Sequence, residues 1–253
     1  MITPLKIKIK NCNMITTKEK ETTMQNNIVF LFIGIWICAL IGFHNTYTIN
    51  FPDFKGFQWV QHFHGAMLMS WFGMLIIQPL LIRYNKRNIH RTLGKLGYVL
   101  APLVCYSVFL VTRMVYYREI VTRPVDSVLS QLSLDIPVIF IFGLFFALAM
   151  INRKDSAVHM RYMIATSLLM IGPGVGRALI IFGGIPFPIS VTIILYIQEI
   201  IAILFLLNDI RKGNNYKPFL TITIITILYH ICWAFQTAGW WLSIASWFAK
   251  HTF

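Results

Sequence analysis

Apolar residues in this chain come in long, nearly unbroken runs rather than at the alternating or amphipathic spacings of a soluble protein. Seven such runs, roughly 28–46, 60–82, 96–116, 134–151, 160–182, 188–207 and 219–242, are each close to the roughly 20 residues that a helix needs to cross a bilayer. The pattern predicts an all-α membrane protein with seven transmembrane helices. Residues 1–27 are polar and lysine-rich and read as a disordered cytoplasmic tail. A single seven-helix transmembrane domain follows over 28–253.

The polar segments between the runs alternate in charge. Segments 1–27, 83–95, 152–161 and 208–217 hold sixteen of the 22 Lys and Arg residues, and the segments on the other side hold four. Positive charge marks the cytoplasmic side, so the N-terminus is expected in the cytoplasm, the C-terminus outside, and the whole in the cell inner (plasma) membrane. Composition agrees, at 57% hydrophobic and 12% charged. The net charge of +13 follows this topology and does not mark a nucleic-acid face. Cys38, Cys105 and Cys232 fall in separate apolar runs with no C-x-x-C spacing, so no disulfide framework is predicted.

Local signals refine the spans. Asp155-Ser156 can cap the fifth helix, and Pro186 and Pro188 introduce the sixth. Gly172-Pro173-Gly174 predicts a break inside span five. Trp240, Trp241, Trp247, Tyr116 and Tyr117 suit an interfacial belt.

Ionisable residues inside a bilayer are expensive and mark function or a pairing. At about 1.5 Å of rise per residue, Glu199 and His230 both fall roughly 16 Å deep on consecutive helices. They are expected to pair, either as a structural hydrogen bond or as a proton relay. His90 and His159 fall at the cytoplasmic ends of two spans, with Arg91 and Arg161 beside them to neutralise an anion. His64 lies in the first turns of the second span, Arg177 sits beside the Gly-Pro-Gly break, and Asp135 is its candidate partner. His62 is expected at the interface, and Met67, Met69 and Met74 in the packing.

The order His64, Gln78, Arg83, Ile89-His90-Arg91-Thr92-Leu93-Gly94-Lys95 and, later, Asp155-Ser-Ala-Val-His159-Met160-Arg161-Tyr162-Met163 followed by Arg177 resembles a group of uncharacterised bacterial multi-pass membrane proteins, a domain of unknown function. The resemblance covers about 60–182. Met160 and Tyr162 depart from the arginine and tryptophan usual there, which leaves Arg161 alone to neutralise an anion. A looser architectural likeness is to membrane b-type cytochromes, where histidines from separate helices ligate haem near each face.

Three functions are open on these residues. A haem-b electron-transfer protein would use His90 with His159 and His64 with His230, and would meet a quinone or another membrane redox partner. A transporter or proton-coupled carrier would line its path with Glu199, His230, Arg177 and Asp135. A membrane metalloenzyme is the third, although no His-x-x-His or His-x-x-x-His spacing is present. The lipid bilayer is the expected partner in every case.

Overall fold

A computed structural model describes residues 27–253; the predicted N-terminal tail lies outside the described residues, apart from its last position. Among the described residues, seven spans are long and apolar enough to cross a membrane. They are α1 (Asn27–His44), α2 (Trp59–Arg83), α4 (Gly97–Glu119), α5 (Val125–Ile151), the broken span made of α6 (Ser156–Leu168) and α7 (Ile171–Gly183), α8 (Phe187–Arg211) and α9 (Lys217–Ala234). Two shorter helices complete the bundle, α3 (Arg87–Gly94) and α10 (Gly239–Thr252).

Aromatic and aliphatic residues hold the spans together. Trp71, Phe72, Phe145 and Leu168 are almost fully enclosed and anchor one core shared by α1, α2, α4, α5, α6, α7, α8 and α9. Three buried hydroxyls are passed back to their own helices: Ser107 to Val104 O at 2.7 Å, Ser167 to Ile164 O at 2.7 Å and Thr226 to Thr223 O at 2.9 Å. Buried hydroxyls are tolerated because the donor finds a carbonyl in the same helix.

The predicted caps form as chemistry requires. Asp155 Oδ1 accepts from the amides of Ala157 and Val158, both at 3.1 Å, and Pro186 and Pro188 open α8. The break in the fifth span falls one turn earlier than the Gly-Pro-Gly triplet, at Leu169–Met170. Pro173 is thereby placed in the first turn of α7, where a missing N–H leaves no intrahelical bond unmade. Met170 N donates to Ser167 O at 3.0 Å, and the Gln198 side chain of α8 donates to Leu168 O at 3.0 Å. The left-handed Gly184 (φ 63°) ends α7.

The last apolar run differs from expectation. It does not continue to residue 242: α9 stops at Ala234, and a turn leads into α10. Trp241 is buried against α5, its indole donating to Leu129 O at 3.2 Å, whereas Trp240 and Trp247 remain exposed. Trp241 therefore packs the bundle and is not part of an interfacial belt. The fourth span likewise begins at Val125 rather than 134, because the serine-rich stretch 127–133 is helical.

Candidate functional site

The ionisable residues fall into three groups, at a basic end of the bundle (loops 84–86, 152–155 and 212–216), within it, and toward the opposite, charge-poor end.

At the basic end Arg161 is already matched. Its Nε and one terminal nitrogen grip Asp209 at 2.6 and 2.8 Å, and the other terminal nitrogen donates to Ala157 O at 2.8 Å. Asn214 adds a third bond to the carboxylate at 3.1 Å. Only 8% of the Arg161 side chain and 3% of the Asp209 side chain are accessible. The expected anion-neutralising role of Arg161 is thus taken up within the protein, by a carboxylate at the end of α8 that hydropathy places among surface charges.

His90 and His159 both stand at this end, on α3 and α6. Burial pulls His90 below the usual histidine range, opposed by the Gln78 backbone and reinforced by the charges of His159 and Arg91. The Gln78 amide nitrogen donates to His90 O (3.2 Å) and to the ring Nδ1 of His90, while its oxygen accepts from the Gly94 amide (3.2 Å). A donor at Nδ1 places the proton of neutral His90 on Nε2. His159 is the opposite tautomer, because its Nδ1 donates to Ala149 O at 2.9 Å. Two axial haem ligands each need an unprotonated nitrogen facing the iron, and this arrangement supplies one. Arg91 is exposed.

Within the bundle, His230 Nδ1 lies 2.9 Å from Glu199 Oε1, as the matching depths predict. The edge of the Tyr196 ring packs on the imidazole, with centroids 4.6 Å apart. Only 15% of the His230 side chain and 12% of the Glu199 side chain are accessible, so the pair is largely enclosed at the α8–α9 seam. It is a clamp between those two helices. His230 and His64 are not brought together, since α2 and α9 share no extensive contact.

The third group gathers His64, Asp135 and Arg177. Each is part-buried and keeps accessible surface inside the span. His64 Nδ1 meets Ser107 Oγ at 3.0 Å; because that hydroxyl donates to Val104 O, its oxygen accepts the Nδ1 proton. The Nε2 of neutral His64 is left as an acceptor.

Arg177 reaches this space because of how α7 is seated. Helix α7 packs on α8 and α6 and makes no extensive contact with α2, α4, α5 or α9. Its other neighbour is α1, approached so closely that a Cβ on Gly174 would lie 2.6 Å from Ala39 Cα, and one on Gly42 would strike the Gly174 carbonyl. The guanidinium lies 4.2 Å over the Phe43 ring and donates to Pro173 O at 3.0 Å. Among the described residues no carboxylate oxygen comes within 4.0 Å of it, and the Asp135 carboxylate forms no hydrogen bond or ion pair.

The remaining histidines are engaged locally. His62 accepts from or donates to the Tyr47 hydroxyl at 2.6 Å among Phe54 and Phe57, His44 bonds Thr48 at 3.1 Å, and His251 donates to Trp247 O at 2.7 Å. Met67 packs against the core, and Met69 accepts the Trp36 indole proton at 3.1 Å. No group of three or more His, Cys, Asp or Glu side chains among the described residues is placed to hold a metal ion. Comparison with models of protein families, with curated proteins and with solved structures found no match for this chain.

Proposed function

We propose that this chain is a membrane carrier for a small charged solute, with its binding site between α2, α5 and α7. One observation carries the reading. Arg177 and Asp135 both lie inside membrane-spanning helices, yet neither has an ionic partner in contact among the described residues. Leaving two opposite charges desolvated and unjoined is unfavourable unless something charged comes between them. The broken span supports it, because discontinuous helices are how carriers bring polar groups to the membrane interior. His64 Nε2 offers a proton acceptor in the same space.

The basic end faces the cytoplasm in this reading, which places the N-terminus inside, the C-terminus outside and the site toward the external half of the plasma membrane. The haem-b reading is less well supported: His90 keeps its proton on the nitrogen that iron would need, and His230 is engaged by Glu199. The metalloenzyme reading has no ligand cluster among the described residues to build on.

The test is uptake into proteoliposomes, read as charge movement, across a panel of amino acids, amines and carboxylates. Wild type moves charge with at least one class, and Asp135→Asn and Arg177→Gln abolish that signal while melting like wild type. Equal signals from wild type and both variants would overturn the reading. A b-type band in a reduced-minus-oxidised spectrum would restore the electron-carrier alternative.

A further inference from the structure

The polar stripe of α5 runs upward from Asp135 into a cavity. Gln131 lies one turn above Asp135, and Trp233 of α9 lies one turn above Tyr229, which itself donates to Leu134 O at 3.1 Å. Gln131 and Trp233 both line a cavity of about 490 Å³ that also takes in Arg123, Asp126, Phe187 and Thr237. Its floor is therefore about 6 Å, one turn of helix, above the level of Asp135.

The mouth holds Arg123 and Asp126, with Glu119 beside Arg123, and Asp135 and Arg177 lie deeper in the spans. Arg123 donates to Ser127 Oγ at 2.7 Å, to Gln131 Oε1 at 3.1 Å and to Glu119 Oε2 at 3.5 Å. Its two shortest bonds are to neutral oxygens, which an arriving carboxylate replaces with a charge-assisted bond. The Asp126 side chain makes no hydrogen bond or ion pair among the described residues. Phe187 and Trp233, packed edge to face at 6.3 Å, give an apolar wall for an alkyl group and a ring face for an ammonium. A volume of this size suits a small organic molecule.

We propose that this cavity is the access vestibule to Asp135 and Arg177 and that it receives a small zwitterion, a solute carrying both an ammonium and a carboxylate. The proposal rests on the carrier reading. In it, the ammonium faces Asp126 and the carboxylate faces Arg123, and the same pairing is repeated one step further in by Asp135 and Arg177.

The experiment places Thr237→Cys in a background with Cys12, Cys38, Cys105 and Cys232 replaced, and follows labelling by a membrane-impermeant thiol reagent from the external side. The probe is leucine, compared with isopentylamine, which lacks the carboxylate, and isocaproate, which lacks the ammonium. Leucine at twice its dissociation constant slows labelling about threefold, as 1 + [L]/Kd requires; neither half-ligand does so at the same concentration, and Asp126→Asn removes the protection. No labelling of Thr237→Cys, equal protection by either half-ligand, or protection kept in Asp126→Asn would each overturn the proposal. Labelling needs no transport, so protection without uptake would keep the vestibule site and remove the carrier.

Discussion

Two arginines in this bundle stand beside aspartates, and the two pairs are built oppositely. Arg161 and Asp209 are joined by two short bonds, and Ala157 O and the Asn214 amide add a bond to each partner. Arg177 and Asp135 form no ion pair, and Arg177 stands on a helix half held away from α2, α4, α5 and α9. The first pair is enclosed and the second keeps accessible surface, and the two differ in saturation as well. A satisfied pair locks helices together, and an unsatisfied one has capacity left for a ligand.

The comparison breaks most sharply at Asp209. Asp209→Ala leaves the Arg161 guanidinium buried and unpaired, and the expected loss is about 3–5 kcal/mol, read as a large fall in melting temperature in detergent. A fall no larger than that of a surface variant would mean that the α6–α8 pair does not lock the basic end.

Gly174→Ala sharpens the other half. The added methyl meets Ala39 Cα at 2.6 Å and Cys38 O at 2.9 Å, both backbone atoms that cannot swing aside. Overpacking of this kind costs about 1–3 kcal/mol, and it displaces α7 together with Arg177. Stability and charge movement should therefore fall together. Unchanged charge movement would show that Arg177 does not depend on the close seat of α7 on α1.

The smallest effect is at His90, which lies outside both pairs and reports on the basic end alone. Its folded pKa is lowered from 6.5, so on acidification the unfolded chain takes up a proton before the folded one does. Stability is unaffected by this group above pH 6.5 and falls as pH drops below that value, until the folded form is protonated as well. His90→Gln should flatten that acid limb of the melting curve. An identical limb in the variant would place its origin in another group.

Much of this was legible in the sequence, for physical reasons. Hydropathy reports burial in lipid directly, so all seven spans were readable. The pairing of Glu199 with His230 followed from equal depth on consecutive helices, and the Asp155 cap from a local spacing. Asp209 was not readable: it sits at the end of an apolar run among basic residues, and its partner is 48 positions away. The end of α9 was equally hidden, because Phe235-Gln-Thr-Ala238 carries no proline and apolar residues resume at once in α10. Ser107 and Gln78, which fix the tautomers of His64 and His90, are polar residues inside long runs. Only the three-dimensional arrangement shows which histidine each one meets.

The most direct test of the central claim compares Arg161→Gln with Arg177→Gln in the same purified preparation, measuring melting temperature and charge movement on both. The account predicts a large drop in melting temperature for Arg161→Gln. For Arg177→Gln it predicts melting close to wild type with charge movement lost. Equal destabilisation by the two substitutions, or full charge movement in a stable Arg177→Gln protein, would contradict it.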